Sequence, residues 1–184
     1  MSQFSNPGPG AAGASESYIK ALLDLAGDAE PVPRLASLLD EISHASDGLD
    51  SEQLRTPERQ GKWSIIEVLQ HLADTELVVG FRLRMILAHD TPPIHGFDQD
   101  LWAGRLQYVK AHAEETLAQL RVLREANVRL LSRLSPEDWQ RAGMHSERGL
   151  ETIERMFRLA VGHDLVHLRQ IARIRTAIVS PEGR

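Results

Sequence analysis

Apolar residues recur along this chain at the spacing of one helix face rather than with the alternation of a strand. Leu35, Leu38, Leu39 and Ile42 fall at i, i+3, i+4 and i+7 and predict an amphipathic helix from about Arg34 to Ala45. Ile65, Val68, Leu69, Leu72, Val79, Leu83, Ile86 and Leu87 then hold a single stripe. Its start is explicit: Ser64 and Glu67 have the spacing of a capping box, and Trp63 and Val68 that of a hydrophobic staple. A long helix from Ser64 to about His89 follows, stopped by Pro92 and Pro93. Val109, Ala113, Leu117, Leu120 and Leu131 predict a third long helix from about Arg105 to Leu134, and Ile153, Met156, Ala160, Ile171 and Ile174 a fourth from about Leu150 to Ile178.

Shorter segments fill the gaps. Tyr18, Ile19, Leu22, Leu23 and Leu25 support a short first helix ended by Gly27, with Pro31 and Pro33 as a break. A polar connection runs from Ser46 to Gly61, and a loop from Ile94 to Gly104 carries His95, Asp98, Asp100 and Trp102 over one end of the molecule. Ser135-Pro136-Glu137-Asp138 is a cap with proline at the first helical position, placing Trp139 on a short turn. Arg141 to Gly149 read as a second loop. No strand and no repeat is expected. Residues 1–15, rich in Gly, Ser, Ala and Pro, read as a disordered tail ahead of a single domain, 16–184. Four long amphipathic helices with short connections pack most economically as an all-α, antiparallel four-helix bundle, here with a short extra N-terminal helix.

Composition narrows the chemistry. The chain has 184 residues and no cysteine, so a metal must be held by nitrogen and oxygen. A formal net charge of -5 with scattered arginines argues against a nucleic-acid partner. No apolar run approaches a membrane span and the N-terminus lacks the pattern of a signal peptide, so a cytoplasmic protein with no membrane partner is expected.

Against this background two polar residues stand out. On a wheel turning about 100° per residue, His163 and His167 fall inside the apolar stripe of the last helix. A lone histidine there is ordinarily a core residue with one hydrogen-bond partner. Two at this spacing, with His71 flanking the stripe of the second long helix, would each need a buried partner, and one metal ion serves all three. Three imidazoles suit Zn, Ni, Fe or Co and exclude Mg and Ca; they also leave a coordination position open. His44 and His112 read as solvated, and His89, His95 and His145 as surface.

Other polar residues fall on inner faces. Gln170 can orient a ligand imidazole or line the pocket, and Asp74 and Thr75 can do the same beside His71. Glu76 and Arg124 occupy the stripes of two different helices and are expected to meet across the bundle, the alternative being that either side chain snorkels to solvent; Asp164, also on an inner face, is a candidate second partner.

The segments Gly61-Lys62-Trp63-Ser64-Ile65-Ile66-Glu67-Val68-Leu69-Gln70-His71-Leu72-Ala73-Asp74 and His163-Asp164-Leu165-Val166-His167-Leu168-Arg169-Gln170-Ile171 resemble the two signature segments of the DinB/YfiT-like superfamily. Arg82 to Trp102 is similar to the subgroup around the bacillithiol S-transferases. The resemblance implies a four-helix bundle, often a homodimer, with one divalent ion, zinc or nickel, on the residues that match the motif, His71, His163 and His167. It further implies a small-molecule thiol and an electrophile as substrates, the thiol being activated as a metal-bound thiolate. The reading that follows is a metal-dependent thiol S-transferase, with loops 90–104 and 141–149 shaping the electrophile pocket. The alternatives are a metal-dependent hydrolase acting through bound hydroxide and a non-enzymatic, metal-stabilised bundle. The residues themselves assign no catalytic group beyond the ligands.

Overall fold

The computed structural model describes residues 12–179, with side chains from Glu16 onward. The tail expected over 1–15 lies outside the described residues up to position 11, and the first helix, α1 (Ala12–Ala26), starts ahead of Tyr18. It ends at Gly27, whose φ of 58° is left-handed. Helix α2 (Pro31–Ser46) begins earlier than the periodicity shows. Pro31 and Pro33 stand in its first turn rather than in a break before it, because the N–H groups there have no intrahelical acceptor to lose.

The polar connection contains a short helix, α3 (Ser51–Arg55). The Asp50 carboxylate accepts the Glu52 and Gln53 N–H groups at 2.9 and 2.8 Å, and the Asp50 N–H donates back to the Gln53 side chain. Helix α4 (Ile65–Ala88) matches its sequence signature closely. The Glu67 carboxylate accepts both the backbone N–H and the hydroxyl of Ser64, at 2.8 and 2.7 Å, and Ser64 itself is fully buried.

Two expectations give way in the middle of the chain. The loop after the prolines holds a strand, β1 (Pro93–Ile94), and a helix, α5 (Gln99–Arg105), which Asp98 caps. The third long helix is broken: a 3₁₀ turn at Tyr108–Lys110 precedes α6 (Ala113–Leu131). The chain turns at Gln107, held at φ 56°, and Val109 faces solvent instead of joining the stripe. After α7 (Pro136–Trp139), capped by Ser135, the segment expected to be a loop is a hairpin of β2 (Ala142–His145) and β3 (Gly149–Thr152). β1 adds to it in parallel, pairing Pro93 with Met144 and Ile94 with His145. A three-stranded sheet thus overturns the expectation of no strands, and α8 (Ile153–Val179) begins only after it.

Helices α2, α4, α6 and α8 form the four-helix bundle. Both α2 and α4 pack on α6 and on α8, so α2 and α4 occupy opposite corners. The core has two apolar halves. Leu35, Leu83, Ile86 and Phe157 belong to one, and Leu69, Leu72, Leu120 and Ile171 to the other. Between them, in the sequence order of α4, α6 and α8 alike, lies a layer of buried polar residues, Asp74 and Glu76, Arg124, and Asp164 and His167, with His71 at its edge beside Leu72. No helix among the described residues is long and apolar enough to cross a membrane.

Candidate metal centre

His71 is carried by α4 and His163 and His167 by α8, one turn apart on the face turned towards α4. Their imidazoles converge: His163 Nε2 lies 3.0 Å from His71 Nε2 and 3.2 Å from His167 Nε2. Two nitrogens on one tetrahedral ion, each about 2.0–2.1 Å from it, stand about 3.3 Å apart. Three neutral imidazoles cannot satisfy one another by hydrogen bonding, since each carries a single N–H. The His167 proton is spoken for: its Nδ1 sits 2.8 Å from the Gln170 Oε1 acceptor, which leaves the Nε2 lone pair facing the other two rings. Burial lowers the His71 pKa well below its usual value, with His167 and His163 adding to the effect. Burial, reinforced by His163, pushes the His167 pKa down to about 3. Both rings are therefore neutral at neutral pH, the form that coordinates a metal, and the donor set fits a divalent borderline ion.

Around the histidines the structure gives each polar residue a definite place. Arg124 is the hub of the buried layer: its Nε donates to Glu76 at 2.8 Å, its Nη2 to Asp164 at 2.7 Å and its Nη1 to the Leu35 carbonyl at 2.9 Å. The expected Glu76–Arg124 pair is thus present, and Asp164 is the arginine's second partner. Asn127 completes Glu76, donating to its other oxygen at 2.8 Å. Burial alone would raise the Asp164 pKa, but the Arg124 charge and hydrogen bond outweigh it and hold the carboxyl ionised. Asp164 Oδ1 is 3.9 Å from His163 Nδ1, beyond hydrogen-bond reach. Asp74 does not orient His71; it accepts the Tyr108 hydroxyl at 2.6 Å and the Gln70 amide at 3.2 Å. His71 Nδ1 has no partner among the described residues.

A pocket opens from this cluster. His71, Thr75, Val79 and Arg82 on α4 form one wall, Met156, Ala160 and His163 on α8 a second, and Tyr18, Ile19 and Leu22 on α1 a third. Gly96 and Phe97 after β1 and His145, Glu147 and Arg148 from the hairpin complete the lining, with the centre of the Phe97 ring 6.4 Å from that of His71. The two segments expected as loops therefore do meet at the pocket. The Thr75 hydroxyl lines it with no hydrogen-bond partner among the described residues.

His145 corrects the sequence reading, which left it on the surface. It is 2% exposed, because parallel pairing with Ile94 turns it inward from β2. Its polar flanks, Ser146, Glu147 and Arg148, concealed that. His95, by contrast, is exposed, and its backbone carbonyl accepts from Arg82.

Comparison with known proteins places this geometry. The chain is 30% identical over 145 residues to a candidate metal-dependent hydrolase of Oceanobacillus iheyensis, covering 79% of this chain and 80% of the relative. It is 27% identical over 135 residues to YfiT of Bacillus subtilis, named in the same terms, covering 73% and 76%. The solved structure of YfiT, described as a probable metal-dependent hydrolase with an unusual four-helix bundle topology, superposes with a TM-score of 0.74 at 26% identity, covering 78% of this chain and 83% of that one. The sequence model of the DinB superfamily matches residues 34–171, a span that includes all three clustered histidines, and the chain belongs to that superfamily.

Proposed function

We propose that the protein is a metal-dependent thiol S-transferase holding one divalent ion, zinc or nickel, on His71, His163 and His167. The observation that carries this reading is the convergence of three imidazole nitrogens at the head of an open pocket, with no fourth protein ligand in the cluster among the described residues. When bound, the ion supplies Lewis acidity that deprotonates a coordinated thiol. The chain's own residues do the rest. Gln170 fixes the His167 tautomer, the arginine-centred layer holds α4, α6 and α8 in register, and the apolar side chains of α1 and α8 keep water from the pocket wall. A sulfur–carbon bond to the electrophile forms, the bond to its leaving group breaks, and the thiol proton departs to solvent.

The names of the relatives favour a second reading, hydrolysis. Hydrolysis is best served by a general base beside the attacking water. The carboxylates nearest the histidines are engaged elsewhere, Asp164 and Glu76 with Arg124 and Asp74 with Tyr108, which supports the thiol reading. The test is a screen of the untagged protein with the common cellular thiols and chlorodinitrobenzene, alongside simple nitrophenyl esters. Metal-dependent turnover with one thiol and none of the esters is expected. The reverse result would establish the hydrolase. Turnover of neither substrate class, together with a melting curve that collapses on chelation, would point to a metal-stabilised bundle without catalysis.

A further inference from the structure

The end of the pocket remote from the histidines is a second polar site that the reaction above does not use. Arg82 and His145 both line it, 9% and 2% exposed. His145 Nδ1 accepts the Glu147 backbone N–H at 3.1 Å, which places the ring proton on Nε2. That Nε2–H is buried and has no acceptor among the described residues. Arg82 spends one nitrogen on the His95 carbonyl and forms no ion pair among the described residues. The neighbouring charges differ in this respect. Arg148 is matched by a two-point pair with Glu151, at 2.8 and 2.6 Å, and Glu147 is exposed, its carboxylate lying over Gly96.

Burial and Arg148 oppose the Arg82 charge, and Glu151 and Glu147 favour it from a distance, but neither carboxylate pairs with it. A buried guanidinium without an ion pair and a buried N–H without an acceptor are each costly alone. Both are relieved by a single ligand group that accepts two hydrogen bonds and carries negative charge. Helix α4 sets the distance to the histidines: His71, Thr75, Val79 and Arg82 succeed one another on one face, and eleven residues of helix span about 16 Å. Between His71 and Arg82 on α4 stand Val79 and the Thr75 hydroxyl, which can serve a polar group partway along.

We propose that Arg82 and His145 form a carboxylate subsite for an elongated substrate whose reacting end meets the three histidines. The position of the reacting end rests on the proposed function; the subsite does not. It assigns a substrate class: an extended molecule, apolar or weakly polar through its middle, with an acidic group at one end.

Thermal melts of the full-length, metal-loaded chain with hexanoate, hexanol, 6-mercaptohexanoate and 6-mercaptohexanol test this. Each acid should bind about tenfold or more tightly than its alcohol, as expected for hydrogen bonds to a charged group. Arg82→Gln and His145→Gln should each bring the acid-to-alcohol ratio close to one while metal content stays at the wild-type level. Arg82→Lys should retain part of the preference. Equal binding of acid and alcohol by the wild-type protein overturns the subsite, and this arm needs no variant to fold. So does a preference that survives in both variants, which would mean that the carboxylate sits on the metal. The sulfur separates the two readings. An acid preference with no added affinity from the thiol leaves the subsite standing and removes the thiolate reaction; thiol affinity without acid preference does the opposite.

Discussion

At the scale of single residues, the site is governed by which nitrogen carries a proton. His71, His145 and His167 are all held neutral by burial, His145 to a pKa of about 4 with Arg148 adding to the effect and Glu151 opposing it. In the unfolded chain each would titrate near 6.5. Between about pH 6.5 and pH 4 the unfolded state therefore binds more protons than the native one, and stability falls as pH falls. The metal-free protein should lose up to about 1.4 kcal/mol per pH unit for each such histidine across that window. Urea midpoints measured from pH 7 to pH 4 would show the slope, and His145→Gln should make it shallower. A flat profile would contradict the buried neutral imidazoles. At the metal centre itself, His163→Ala should reduce the metal content from about one ion per chain to a small fraction, read by elemental analysis. Full retention would remove His163 from the ligand set.

What was legible at this scale follows from side-chain type. His163 and His167 are conspicuous because a polar pair interrupts an apolar stripe, and the Glu76–Arg124 pair because charges on inner faces demand partners. His145 lacked any such mark, since its inward turn comes from pairing with Ile94, more than fifty residues away.

Among the elements, the helices with strong periodicity could be read directly, while the small sheet could not. Strands of two and four residues are too short to show alternation, and parallel pairing of β1 with β2 is a long-range event. The break before α6 was hidden because the apolar spacing runs on through Val109, while the turn rests on the backbone of Gln107. The buried layer couples these helices. Arg124→Met would strand Glu76 and Asp164, two carboxylates that are almost wholly buried, and should cost about 3–5 kcal/mol in chemical denaturation. A loss below 1 kcal/mol would mean that the layer contributes little.

Gly162 makes a different kind of joint. A Cβ there would lie 2.2 Å from the Leu22 carbonyl oxygen of α1. Gly162→Ala gains about 1 kcal/mol of helix propensity but must push α1 away from α8. The expected result is a net loss of about 1–3 kcal/mol together with faster proteolytic cleavage within α1. A stabilised variant with α1 still protected would show that the contact is compliant.

On the scale of the whole molecule, one apolar pair on the surface stands out. Leu77 and Phe81, one turn apart on α4, are 48% and 63% exposed. A homodimer, the assembly that the sequence resemblance implies, is expected to cover them. Phe81→Glu should then convert a dimer to a monomer in light scattering without altering metal content. A wild-type monomer would leave the face unexplained and dispose of the dimer.

The family match begins at residue 34, yet α1, which ends at Ala26, supplies one wall of the pocket. One wall of the pocket thus comes from a stretch of chain outside the span that carries the histidines. A lineage could exchange the first thirty residues and acquire a new preference while the histidines, their arginine-braced helices and the fold stay as they are. Chimaeras that graft α1 from one relative onto the bundle of another would be the natural way to move selectivity between them.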